Sequence, residues 1–290
     1  MRPPAASPPT GGGASYGRCT CRHVGTTVPR ETVGSVDART FYDDLSRDYR
    51  LLFGNWWEAA RWHADVVAAV LRGRGVGPPD SLLDCTCGIG TQALPLATLG
   101  FEVAGSDVSP SMIERARAEA TRRGISIELA VADVRTVADE LGRRFDVVIS
   151  CDNALPHLLT DEDLARALTN ISQCLRPGGH LLASIRDYDR LRSDAPSGVP
   201  MSVHGAAGSR HASGQAWTWS EDRELVSITL FTLEEVEGAW RGSSRETTYR
   251  ALTRNTLTAA LETAAFEDVT WHRPTDTGYH QPIVTATRRS

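Results

Sequence analysis

Leu82-Leu83-Asp84-Cys85-Thr86-Cys87-Gly88-Ile89-Gly90 decides how the rest of the chain is read. It is a short apolar run that ends on an acid and passes into a glycine turn, the pattern of a buried strand delivering its carboxyl end to a ligand. Gly88 and Gly90 let the backbone take left-handed dihedrals and approach a ligand closely, and a helix starting near Gln92 points its N-terminal amides at the same place. Asp84 discriminates among ligands. A pyrophosphate beside a carboxylate is repelled, whereas a cationic amine is attracted. Gly88-Ile89-Gly90-Thr91-Gln92-Ala93 also fits the G-x-G-x-x-A dinucleotide fingerprint, so the loop alone does not choose the cofactor.

Downstream stretches repeat the theme of an acid at a strand end. Glu102 to Asp107 reads as a second strand, and Asp107 can accept hydrogen bonds from both hydroxyls of a ribose. Ala130 to Val134 reads as a third, with Asp133 placed to accept from the exocyclic amine of an adenine. Phe145 to Ser150 is a fourth, and a Pro177-Gly178-Gly179 turn enters a fifth. Helices are expected at 109–123, where Ser109-Pro110 starts and Gly124 stops the segment, and at 161–174 after a Thr160 cap. This alternation predicts a mostly parallel sheet whose strand-end acids face one crevice.

Five such features in order resemble the class I methyltransferases that use S-adenosylmethionine. The resemblance covers about residues 40 to 190 and implies an α/β fold: a Rossmann-like, seven-stranded, mostly parallel sheet with helices on both faces. The helix at about 253–265 and the segments 269–271 and 282–287 resemble the closing helix and last two strands of that sheet. Asn153-x-x-x-His157-Leu158 after the fourth strand, Arg186-x-Tyr188-Asp189 after the fifth, and Phe41-Tyr42-Asp43-x-Leu45 with Tyr49 seven residues after Tyr42 narrow the resemblance to the glycine and sarcosine N-methyltransferases. That family implies transfer of a methyl group to the amine of a small carboxylate-bearing molecule, leaving S-adenosylhomocysteine, with no metal. Asn153 and Arg186 would hold the acceptor carboxylate, Tyr249 would face the acceptor, and Tyr49 would line the methionine part of the cofactor with Arg61 paired to its carboxylate. Asp84, Cys87, Gly88 and Gly90 would form the cofactor loop, and Asp107, Asp133, Val134 and Cys151 the remaining cofactor wall. Thr86 stands where the family often has Gly or Ala, and Val134 where it has a stacking or other apolar residue.

The residues leave some roles open. His157 reads either as scaffold or as a base, the latter suiting an O- or C-methyltransferase of a specialised metabolite. Arg186 reads either as a carboxylate grip or as a partner of Asp187 or Asp189. Trp56, Trp57 and Trp62 read as core or lid more readily than as a cation cage. The Gly88 to Ala93 loop keeps a nicotinamide-dependent oxidoreductase as the reading from another class.

Composition removes other chemistries. The chain has no lysine, all 31 basic residues being arginine, which rules out Schiff-base, pyridoxal-phosphate and Walker-type nucleotide chemistry. A net charge of -5 gives no global attraction to nucleic acid. Six scattered cysteines lack zinc-site spacing and disulfide density, pointing to reduced thiols and a cytoplasmic protein. No apolar run reaches the roughly 20 residues of a membrane span. Residues 1–36, rich in Pro, Gly, Ser and Thr, are expected to be a disordered tail, followed by one domain over 37–290. Within it, 190–250 interrupts the alternation, and Ala216 to Trp219 and Glu224 to Phe231 read as antiparallel strands. They form a small insertion, a substrate lid over the sheet. The partner implied is a small molecule, with homo-oligomerisation left open.

Overall fold

The computed structural model describes residues 27–28 and 37–290. Five parallel strands, β1 (Ser81–Asp84), β2 (Glu102–Asp107), β3 (Glu128–Val131), β4 (Phe145–Ser150) and β5 (Leu175–Ser184), are followed much later in the chain by β10 (Phe266–His272) and β11 (Ile283–Arg288). The sheet order is β10-β11-β5-β4-β1-β2-β3, with β11 antiparallel to both neighbours. Order reverses at β1, so the crevice lies beyond the carboxyl ends of β1, β2 and β4, as in other open α/β sheets. The third strand ends at Val131, leaving Asp133 in the loop beyond it.

The central strands are buried on both faces, which is why they read as continuous apolar runs. Leu82, Val147 and Leu182 pack on one side against Val67 and Leu71 of α2 (Trp56–Arg72), Leu96 of α3 (Ala93–Thr98) and Ile113 of α4 (Pro110–Arg123). Leu83, Val148 and Leu181, their sequence neighbours, pack on the other side against α6 (Asp161–Cys174) and α8 (Arg254–Thr263). At the amino ends of the strands Asp146 accepts from the Ser81 amide at 2.9 Å and pairs with Arg176, locking β4 to β1 far from the crevice.

A second sheet holds β6 (Gly198–His204), β7 (His211–Ser220), β8 (Leu225–Val236) and β9 (Ala239–Arg250), all antiparallel. Its inner face places Trp217, Trp219, Ile228 and Tyr249 on Tyr188 and Ala251. It meets α1 (Ala38–Leu45) and the short turns Tyr49–Leu52 and Leu155–His157, and so covers the crevice. The insertion is thus larger than the two strands expected from sequence: β6 and β9 carry too few buried apolar side chains to show a period. Of the expected tail, Thr27–Val28 forms a two-residue strand parallel to Trp219–Ser220, an ordered contact where disorder was expected; the remainder lies outside the described residues.

Among the loop glycines, Gly90 has the tightest constraint. Its φ is +88°, and a Cβ there would lie 2.6 Å from Leu94 Cγ. Gly90→Ala should therefore destabilise the protein by about 1–3 kcal/mol, read as a fall of several degrees in the melting midpoint.

Candidate functional site

The crevice between the two sheets encloses a cavity of about 400 Å³. Its floor is the loop after β1. Cys87 and Gly88 line it, and Gly88, at φ +53°, has nothing within 4 Å of where a Cβ would project. Gly90 stands behind, against α3. Asp84 is fully buried beneath the loop: one carboxylate oxygen accepts from the Thr86 amide at 3.3 Å, while Oδ2 has no hydrogen-bond partner among the described residues. Burial pushes its carboxyl up to about 8, against the opposing Thr86 amide and with help from Asp107 and Asp152.

Asp107, at the end of β2, accepts from the Gly88 amide at 2.8 Å and the Ser109 amide at 3.0 Å. Burial still pushes it up to about 6, the two amides opposing. Ser109 also caps α4 and donates to Asp43 at 2.5 Å, and Asp43 accepts from the Ser111 amide as well, so α1 is pinned to the same corner. Asp43 was visible in the sequence only as part of the Phe-Tyr-Asp motif.

Asp133 and Val134 line the far end of the cavity. The Asp133 carboxylate is already engaged by the backbone amide of Arg135 at 2.8 Å and its guanidinium at 2.7 to 3.2 Å, and Arg135 reaches on to Asp163 at 3.0 Å. Burial works against ionisation of Asp133, but Arg135 outweighs it and holds the carboxyl below its ordinary value. An adenine amine would share this acid with Arg135, a residue the sequence reading did not single out.

The upper wall comes from the loop after β4. Cys151 and Asp152 line the cavity, and Asp152 and Asn153 both adopt left-handed backbone (φ 57° and 69°). This turn carries Asn153 inward. It is 2% exposed, its amide nitrogen donates to the Tyr188 hydroxyl at 3.0 Å, and its carbonyl oxygen accepts from the Arg186 backbone at 3.0 Å. Asn153 therefore positions the loop bearing Arg186, with both polar atoms of its side chain engaged within the protein. Arg61, by contrast, is corrected. It lies on the exposed side of α2, in a surface groove with Glu58 and Asp65, because the buried stripe of that helix runs through Ala60, Ala64, Val67 and Leu71.

Tyr49 and His157 line the cavity, as does Tyr42, whose hydroxyl meets His157 Nε2 at 3.1 Å. Burial, reinforced by Arg186, pushes His157 down to about 3, so its imidazole is neutral and weakly basic. Burial likewise raises the Tyr49 and Tyr42 hydroxyls well above the usual phenol. Tyr249 packs on His157 at 4.2 Å. Arg186 spreads over Trp217 (4.9 Å) and Tyr249 (5.4 Å) and donates to Gln215 at 3.3 Å, while its Nη1 is buried without a hydrogen-bond partner. The acids beside it, Asp187 and Asp189, pair instead with Arg254. Trp56 is core, donating to Thr91 at 3.1 Å; Trp57 lies under Arg123; and Trp62 is exposed, stacked on Tyr279. No group of three or more His, Cys, Asp or Glu among the described residues is arranged to hold a metal ion, and no helix among them is long and apolar enough to cross a membrane.

Comparison with known proteins agrees with this architecture. Residues 82–179 match the methyltransferase domain family. A glycine/sarcosine N-methyltransferase of Parasynechococcus marenigrum is 31% identical over 137 residues, 47% of this chain and 48% of that one. A ubiquinone biosynthesis O-methyltransferase of Cereibacter sphaeroides is 32% identical over 128 residues, 43% and 46% of the two chains. The chain spans about half the length of the curated relatives it matches. The crystal structure of the sugar N-methyltransferase KedS8 from Streptoalloteichus superposes with a TM-score of 0.67 at 21% identity, covering 96% of this chain and all of that one. Sequence match and superposition together place a methyltransferase domain at residues 82–179, set in the fold of the class I methyltransferases.

Proposed function

We propose that the protein is an S-adenosylmethionine-dependent N-methyltransferase whose acceptor is a small amine carrying a carboxylate. The residues of the cavity fit the donor. Gly88 leaves its side-chain direction open, Asp84 keeps an unpaired buried oxygen, and Asp107 adds negative charge to the wall, which suits a ligand bearing a sulfonium and an ammonium. A nicotinamide dinucleotide fits less well, since the Gly88 amide that a pyrophosphate needs is already bonded to Asp107.

The observation that carries the acceptor class is Arg186. A guanidinium within 4.9 and 5.4 Å of two aromatic ring centres, with Nη1 buried and unpaired, is matched by a carboxylate that it can grip through two parallel hydrogen bonds. The relatives include glycine/sarcosine N-methyltransferases, whose named acceptors are molecules of this kind. Hydroxyl methylation with His157 as base finds less support, because an imidazole depressed to about 3 is a poor proton acceptor.

Donor binding and acceptor turnover should separate by mutation. Asp107→Ala is expected to weaken S-adenosylmethionine binding about 10- to 100-fold in calorimetry, the scale of hydrogen bonds to a charged group. Arg186→Ala should leave that affinity nearly intact and lower kcat/KM for carboxylate-bearing amines about 100-fold or more. Unchanged donor affinity in the first variant would refute the site.

The ligand-free protein should also respond to pH in a defined sense. Asp84 and Asp107 ionise near 3.8 when unfolded but near 8 and 6 when folded. Between about pH 4 and 8 the folded state holds protons that the unfolded chain has lost, so stability falls as pH rises through that window. Carboxylates held low despite burial, Asp133 by Arg135 and Asp146 by Ser81 and Arg176, contribute stability that is lost only as the solution becomes more acidic. The melting midpoint should decline from pH 5 to 8.5, and Asp84→Asn should flatten the decline.

A further inference from the structure

Asp152 sits in a cluster that the site described so far does not use. Its carboxylate lines the cavity and accepts from the Tyr279 hydroxyl at 2.6 Å and from Gln92 Nε2 at 2.8 Å. Beyond it stand two histidines, His280 Nε2 at 3.6 Å and His63 Nδ1 at 3.9 Å, with their rings stacked at 4.9 Å. His63 is buried and its Nδ1 has no hydrogen-bond partner among the described residues. The side chain of His280 is 43% exposed, so the cluster runs from the cavity wall to solvent. Burial depresses the basicity of His280; the charge of Asp152 acts against that and the charge of Arg186 with it.

We propose that Asp152 binds the ammonium of the acceptor and takes its proton, which His280 then delivers to solvent, so that Arg186 and Asp152 together select an amino acid in its zwitterionic form. The assignment rests on the N-methyltransferase reading above and deepens it. An aliphatic amine with a pKa of about 10 is almost wholly protonated at pH 7 and has no lone pair to donate. A carboxylate at the ammonium binds the charged form and removes the proton: the N–H bond breaks, its electron pair stays on nitrogen, and the proton passes to Asp152. The donor supplies a sulfonium methyl group, so that the new N–C bond forms as the C–S bond breaks and the sulfur keeps the electron pair. From Asp152 the proton moves to His280 Nε2 and leaves by the exposed side of the ring. One proton is released per methyl group transferred.

Tyr279 and Gln92 fix both carboxylate oxygens, and the left-handed backbone at Asp152 aims the group. The charged and titratable groups that interact with Asp152 are His63 on α2, Tyr279 and His280 before β11, Tyr49, Cys151, and Asp84 under the loop, and Arg186 acts on His280. Burial pushes both histidines below their ordinary value, which favours the neutral form of each.

The test compares wild type, Asp152→Asn and His280→Gln, using an amino acid that the wild type methylates. Asp152→Asn keeps the acceptor oxygen for Tyr279 or Gln92, and its melting curve checks folding. Its kcat/KM should fall about 100-fold at pH 7, and the deficit should shrink about tenfold per pH unit towards the pKa of the amine, while donor affinity stays within about twofold. His280→Gln should lose less, and added imidazole should restore it. A pH profile parallel to that of wild type would overturn the assignment. So would a loss confined to donor affinity, which would place Asp152 on the methionine ammonium of the donor. Wild-type protein that binds the donor but methylates no carboxylate-bearing amine would bring down the acceptor reading and this assignment with it, an outcome visible before any variant is made.

Discussion

The crevice depends on one carboxylate. Asp107 joins the loop after β1 to the start of α4 through two backbone amides, and Ser109 extends the tie to Asp43 on α1. Each amide belongs to a segment whose backbone has no strand or helix partner at that point, so the acid closes groups that would otherwise be left unpaired at a strand end. The same two bonds hold the floor of the cavity and the N-terminal segment that covers it. Two kinds of demand therefore meet in Asp107: the ionised form suits the amides and a ribose, while burial favours the neutral form.

Around this corner the electrostatics divide. At one end of the cavity, Arg135 pairs with both Asp133 and Asp163, so the acids there are engaged by a cation. At the other, Asp84 keeps an oxygen without a hydrogen-bond partner among the described residues, and the carboxylate of Asp152 is held by Tyr279 and Gln92. A ligand that is cationic at one end and neutral at the other fits that gradient without leaving a charge buried and unpaired. The aromatic groups follow the same division, with Tyr42, Tyr49, His157 and Tyr249 gathered on the side where the second sheet closes.

The parts that were legible in the sequence share a physical cause. The central strands are buried on both faces and end on acids, so their apolar runs and carboxylates mark them, and α4 and α6 carry Ser109 and Thr160 caps that fix their starts. Where burial is one-sided or slight the signal fails. β6 and β9 are mostly exposed strands held by pairing with β7 and β8, and pairing leaves no mark on composition. Arg61 was misplaced because family position says nothing of helical phase, and two residues along α2 turn the side chain by more than half a circle, to His63 on the buried side. The partners of Asn153 were not legible because its left-handed backbone cannot be read from the residue type, and Asp152 passed unnoticed since its partners Tyr279 and His280 are distant in sequence.

The consecutive left-handed residues at 152 and 153 also limit how this pocket can be altered by descent or design. Only glycine and the short amide and acid side chains occupy that backbone region without appreciable strain. The repertoire at 152 is accordingly narrow, and a β-branched or bulky residue is barred before its chemistry is tried. Variation in what the pocket accepts is channelled instead to lining residues on ordinary backbone, such as Thr91, Leu155 and Thr248. A library aimed at new acceptors is best spent there, with the turn after β4 left as it stands.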